Sequence, residues 1–188
     1  KASKTWYFAE GTTRAGFEEW LCLANPGATD AETRVDFFCS DGDVVTVRCT
    51  VPAWERYTIN VNAAVGPDKD VAAKVESDQP IVAERPMYFS YRGGWDDGHI
   101  TVGATEPRRE WHFAEGTTRD GFEEWLCLAN PREEDAKVRI AYHVVDAGVV
   151  EQEVAVPAMH RVTVPVNAVV GPGRDVAITA RSDRPIVA

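Results

Sequence analysis

The stretch WYFAEGTTRAGFEEWLCLANP at Trp6–Pro26 returns as WHFAEGTTRDGFEEWLCLANP at Trp111–Pro131, a displacement of 105 positions. Carried onward without a gap, this offset aligns residues 5–83 with residues 110–188, and 45 of the 79 pairs are identical. Solenoid repeats recur every roughly 20–50 residues, so a period of this length is that of a whole domain. Two beads follow, 5–107 and 108–188. They are joined through Thr105-Glu106-Pro107-Arg108-Arg109, where the proline stiffens the joint. Substitutions between the copies fall mostly where turns and outward faces are expected: Gly27-Ala28-Thr29 becomes Arg132-Glu133-Glu134, and Thr46, Arg48 and Thr50 become Glu151, Glu153 and Ala155.

Within a copy the apolar period is two. Val35, Phe37 and Cys39 share one face of Thr33–Cys39, and Val45, Val47, Cys49 and Val51 share one face of Val45–Val51. Ser40-Asp41-Gly42-Asp43 between them is turn chemistry, so the pair reads as a hairpin. Further strands are expected at Phe17–Ala24, Arg56–Asn62, Val71–Ser77, Ile81–Tyr91 and His99–Thr105, punctuated by Pro26, Pro52, Gly66-Pro67, Pro80 and Gly93-Gly94. No segment carries a helical stripe. Seven or eight short strands in about 100 residues predict an all-β chain of two tandem immunoglobulin-like antiparallel sandwiches. The second lacks the last strands, because Ala188 matches Ala83 and nothing matches Glu84–Thr105. Two explanations are open: the natural chain continues, or a neighbouring copy fills the gap by strand addition and drives head-to-tail growth.

Four elements carry a resemblance. They are Trp6–Pro26, the VPA-x-x-R run at Val51–Arg56, SD-x-PIVAERPMYF at Ser77–Phe89, and Gly98-His99-x-x-x-Gly103-Ala104. Together they resemble tandem repeats of large secreted or surface-anchored bacterial proteins, a family of unassigned function with an immunoglobulin-like look. The resemblance spans nearly the whole chain and implies a cell-envelope location and long arrays. It implies no reaction, cofactor or catalytic residue. The Cys, Trp, Cys spacing of antibody domains is absent.

The net charge of −10 is carried by both copies and argues against nucleic acid as a partner. No apolar run approaches the roughly 20 residues of a membrane-spanning helix. The motifs GxSxG, HExxH, CxxC and a phosphate-cradling glycine loop are missing. Of the histidines, His112, His143 and His160 face Tyr7, Phe38 and Glu55 in the alignment, and His99 lies beyond it, which suits surface positions better than a metal or acid–base centre. Glu18 and Glu19 are adjacent in a strand and point to opposite faces, so they cannot flank one scissile bond. Glu10 and Arg14 are expected to pair with each other or to cap backbone around Trp6 and Trp20. Asp41-Gly42-Asp43 and Trp95-Asp96-Asp97-Gly98 offer oxygen ligands without the full calcium-loop spacing.

Cys39 and Cys49 are replaced together by Val144 and Val154, which predicts a disulfide or a contacting core pair. Cys22 and Cys127 are expected to be buried and unbridged. Trp6, Tyr7, Tyr91 and Trp95 form a candidate aromatic surface for stacking on sugar rings, and packing is the competing role for such side chains. The expected function is a non-catalytic structural repeat, outside the cell or on its surface: a stalk, surface-layer or filament segment whose partners are copies of itself. The alternative is a carbohydrate-binding or adhesion module that recognises surface glycans. No cofactor, nucleic acid or membrane insertion is expected.

Overall fold

The structure, a computed structural model, describes residues 1–91 and 93–188, and of Trp95 the backbone alone. The chain divides into two compact units, Lys1–Glu106 and Pro107–Ala188, one residue from the boundary expected from the repeat. It is all-β. Each unit is an antiparallel β-sandwich, two sheets facing across one core.

The first unit contains β1 (Ser3–Phe8), β2 (Phe17–Ala24), β3 (Ala31–Cys39), β4 (Val44–Val51), β5 (Arg56–Asn60), a single helical turn α1 (Val61–Val65), β6 (Val71–Tyr91) and β7 (Trp95–Val102). All its strand pairs are antiparallel. One sheet runs β4-β3-β6-β1 and the other β5-β2-β6-β7, because β6 belongs to both. Its first part pairs with β3 up to Ser77 and its later part with β2 from Val82. The expected break at Pro80 is therefore a corner within one strand, between those two ladders and away from their hydrogen bonds. Inward alternation builds the core from Trp6, Phe8, Leu21, Leu23, Val35, Phe37, Val51 and Ile81. The predicted β3–β4 hairpin is present, with Gly42 supplying the positive φ of its turn.

The second unit contains β8 (Arg108–Phe113), β9 (Trp125–Asn130), β10 (Ala136–Val144), β11 (Gly148–Val156), β12 (His160–Pro165), α2 (Val166–Val170) and β13 (Val176–Ile186). Its first sheet, β11-β10-β13-β8, repeats the first sheet of the other unit in register: Trp111 opposes Ala180 as Trp6 opposes Val75. Its second sheet has only β12 and β9, plus a bridge from Ala129 to Val187.

The expected disulfide is absent: all four cysteines are thiols. Cys39 ends β3 at the turn, whereas Cys49 sits opposite Thr33, six residues back along the same strand. That separation is roughly 20 Å, against the roughly 7 Å limit between bridged Cα atoms. They do not form a contacting pair either. Each belongs to the core by itself, where valine can replace it.

Candidate functional site

The side chains kept in both copies are mostly fasteners. The Trp6 indole donates to the Ile81 carbonyl at 2.9 Å, and Trp111 donates to Ile186 at 3.0 Å. Thr13 and Thr118 donate their hydroxyls to the Gly66 and Gly171 carbonyls at 2.7 Å each. Asn25 and Asn130 donate to the Val51 and Val156 carbonyls at 3.0 and 3.1 Å. Asn62 and Asn167 accept from the Glu19 and Glu124 amides and donate to the Phe17 and Phe122 carbonyls. Each contact joins segments at least 26 residues apart in sequence and satisfies a backbone group.

One cluster stands apart from these fasteners. The loop after β1 brings Glu10 to the inner face of the second sheet, where its Oε2 accepts from Arg85 Nη2 at 2.6 Å. His99 Nε2 lies 3.4 Å from the same oxygen and 3.2 Å from Arg85 Nη2. Arg85 is 2% exposed and its Nη1 also reaches the Met87 sulfur at 3.5 Å, whereas Glu10 is 46% exposed. Glu19, Met87 and His99 are cross-strand neighbours on β2, β6 and β7. Glu19 is buried, its carboxylate so close to Gly11 that a Cβ there would collide with it. Burial acts to raise the Glu10 pKa, but the hydrogen bond and charge of His99 and the charge of Arg85 outweigh it and hold the group at about 2. A carboxylate held that low is a weak general acid near neutral pH, and its oxygen is already engaged by a guanidinium.

Of the two roles expected for Glu10 and Arg14, pairing with each other or capping backbone, the first is not what the structure has: Glu10 pairs with Arg85, and Arg14 with Asp70 at 2.7 Å. Glu18 and Glu19 point to opposite faces as expected. Arg85 was not singled out by the sequence, and His99, expected at a surface position, is 42% exposed and reaches the cluster from the rim. The signal was available, since Ile81, Ala83, Arg85 and Met87 share the inward parity of their strand and Arg85 is the one charge among them. The turn carboxylates Asp41 and Asp43 hold the Lys69 ammonium, at 2.6 and 3.1 Å. His112 and His143 both reach the Thr179 hydroxyl, at 3.2 and 3.1 Å. Among the described residues no group of three or more His, Cys, Asp or Glu could hold a metal ion, and no helix is long and apolar enough to cross a membrane.

The candidate aromatic surface is not assembled. Trp6 is 3% exposed and belongs to the core, because its position in β1 faces inward. Tyr7 is half-buried on the opposite side of that strand, and Tyr91 packs on Phe17 with ring centroids 5.6 Å apart. The Trp95 side chain lies outside the described residues. Among the described residues the most exposed aromatic is Trp54, at 72%, in the turn before β5.

Neither a protein-family model nor a curated protein sequence matches the chain. Among solved structures the chain is similar to Thermotoga maritima 1070, at 19% identity and a TM-score of 0.51, over 55% of this chain and 95% of that one. This likeness concerns the fold, over about the length of one unit. The Anabaena sensory rhodopsin transducer is similar at 27% identity and a TM-score of 0.41, over 45% of this chain and 88% of that one. A segment of two fibronectin type III domains from chicken tenascin shows 14% identity and a TM-score of 0.22, over 88% and 95% of the two chains. These last two scores are too low to bear on the fold.

Proposed function

We propose that this chain is a non-catalytic structural repeat of an extracellular or cell-surface protein, a segment of a stalk, surface layer or filament. The observation that carries this reading is where the shared motif places its polar groups. Trp6, Thr13, Asn25 and Asn62, with their counterparts Trp111, Thr118, Asn130 and Asn167, hold the backbone of their own unit. A sequence selected to make a stiff, repeatable bead keeps such residues, whereas one selected for a reaction keeps groups that face a substrate. The acidic balance of both copies keeps a long array soluble. Antibodies raised against the chain should label intact source cells from outside, and the native material should appear in negative stain as rows of globules. Label confined to the cell interior, or a single compact particle, refutes the proposal.

Glycan binding stands as a second reading on one observation, the exposed Trp54 with the partly exposed Tyr57 three residues on. Their counterparts are Met159 and Val162, so the first unit alone would carry this function. A glycan array probed with the chain and with Trp54→Ala decides it: a hit lost in the variant supports this reading, and no hit excludes it for the sugars tested.

A further inference from the structure

We propose that the first unit carries a self-association edge: β7 pairs antiparallel with β7 of a second copy of this chain, with Ile100 on the two-fold axis. The inference goes beyond the mechanical role above and does not depend on where in or around the cell the chain lies. It starts from the register of β7 on β6, in which Val102 opposes Glu84, Ile100 opposes Pro86 and Gly98 opposes Tyr88. The Gly103 amide donates to the Ala83 carbonyl, the next pair of the same register. Bonded and non-bonded pairs alternate along an antiparallel ladder, so Thr101, His99 and Asp97 turn their backbone groups to β6, while Val102, Ile100 and Gly98 turn theirs away from it. Ala104, of the same parity as Val102, confirms the phase: it exchanges both of its bonds with Tyr7 of β1. Among the described residues β6 is the one strand that pairs with β7, so the outer edge is taken at Ala104 and open from Gly98 to Val102. Edge strands are usually guarded by a charge. The other outer strands of this unit follow that rule, with exposed Lys4 on β1, Arg48 on β4 and Arg56 on β5. Gly98–Val102 holds no lysine, arginine, carboxylate or proline, and Ile100 and Val102 stand 63% and 57% exposed.

The occupant is a second copy because this edge complements itself. With Ile100 opposite Ile100 of the other chain, Val102 falls opposite its Gly98 and Gly98 opposite its Val102, and each of the three positions exchanges two backbone bonds. The side chains of the same residues share the outer face of the sheet with Tyr88. Tyr88 is 52% exposed and leans over Gly98, where a Cβ would lie 2.7 Å from its ring. Val102 of the second copy therefore lands beside the Tyr88 ring, large against small, while Ile100 meets Ile100. The carboxylates lie beyond the paired stretch. Asp97 of one chain is six residues along the ladder from Asp97 of the other, roughly 20 Å, against a screening length of about 8 Å, so the acidity of the chain does not oppose this contact. Other registers fail: a slip of two residues sets Val102 against Asp96 in one direction, and in the other sets Gly98 against Ala104, whose bonds Tyr7 already holds. In the single chain the edge is lightly capped, since Asp97 Oδ1 accepts from the Gly98 amide at 2.7 Å and the Thr101 hydroxyl donates to the Val102 carbonyl at 3.5 Å. The Val102 carbonyl of the second copy replaces the first contact, and the second persists because a carbonyl accepts twice.

The test uses the full chain. Sedimentation equilibrium from micromolar to millimolar concentration should show monomer and dimer in exchange, and amide exchange at Gly98–Val102 should slow as the concentration rises. Ile100→Lys places a charge on the edge at an exposed position; it should weaken dimerisation at least tenfold and leave urea unfolding unchanged. Under mild oxidation Ile100→Cys should trap a dimer bridged at position 100, as mapped by peptide mass spectrometry, at least tenfold faster than Thr50→Cys, which is exposed on β4. A chain that stays monomeric throughout overturns the proposal, even where a strand of another protein protects the same amides. So does a dimer that Ile100→Lys leaves intact, or bridging of the Ile100→Cys chain no faster than that of the Thr50→Cys chain.

Discussion

Replacing Glu10 by glutamine removes the carboxylate that pairs with the buried Arg85 guanidinium while keeping the side chain's size. The Glu10 pKa lies at about 2 against an ordinary 4.5. At about 1.4 kcal/mol per unit this shift corresponds to about 3 kcal/mol. The carboxylate is 46% exposed, so solvent screening reduces the expected loss on Glu10→Gln to about 1–2 kcal/mol at pH 7. The pKa is depressed in the folded state, so the stabilisation is fully present above about pH 4.5 and is lost as the pH falls from there through about 2. Urea titration followed by hydrogen exchange of β6 peptides reads the first unit separately from the second. Wild type and Glu10→Gln should differ most at pH 6–7 and converge near pH 2. A difference under about 0.3 kcal/mol at pH 7, or one that does not shrink on acidification, refutes the claim that this ion pair stabilises the unit.

Gly16→Ala and Gly121→Ala should separate, although both glycines have φ near +85°, since an added Cβ would lie 2.5 Å from the Ser90 carbonyl oxygen in the first unit and meets nothing within 4 Å in the second. The second change should cost about 1 kcal/mol and the first at least about 2, by the same exchange measurement. Cys39→Val with Cys49→Val should change stability by less than about 1 kcal/mol, as valine fills both places in the other unit, and mass spectrometry after alkylation in denaturant should count four modified thiols in wild type. Trp6→Phe removes both the hydrogen bond to Ile81 and buried ring area, and should cost about 2–3 kcal/mol in a urea melt of the first unit.

The strands that alternate cleanly were legible. Thr33–Cys39, Val45–Val51 and Phe17–Ala24 read as strands and lie where the structure puts them, because their inward positions carry branched or aromatic residues and turn chemistry bounds them. β1 was not expected: only Trp6 and Phe8 of its residues are buried, too few to display a period. Pro80 read as a break because proline removes a ladder donor, yet the corner between sheets asks for none there. The Glu10–Arg85–His99 cluster was legible only in part: strand parity turns Arg85 inward, but nothing in the sequence names its partners. Its members come from a loop and two strands, Glu10 lies 75 residues from Arg85, and one copy of the repeat contains only the glutamate. Comparing copies can reveal only what both contain.

The two copies can be compared sheet by sheet. The sheet β11-β10-β13-β8 keeps the pairing of its counterpart: Ile140 opposes Ala180 as Val35 opposes Val75. It does so although nothing matches the second half of β6 or β7 in that unit. The other sheet responds differently. β9 and β12 stay paired through Trp125–Asn130, but the strand character seen at Phe17–Glu19 is lost at 122–124. The first sheet keeps its pairing over a core of Val138, Ile140, Tyr142 and Ile178, and in the first unit the second sheet gains its extra ladder at Phe17–Glu19 from the strand that turns the corner. In the first unit a buried cation, Arg85, sits on that same strand. Hydrophobic burial alone is non-directional, whereas an arginine at one register position discriminates against a strand slipped by one residue, which would turn its charge to solvent and its neighbours inward.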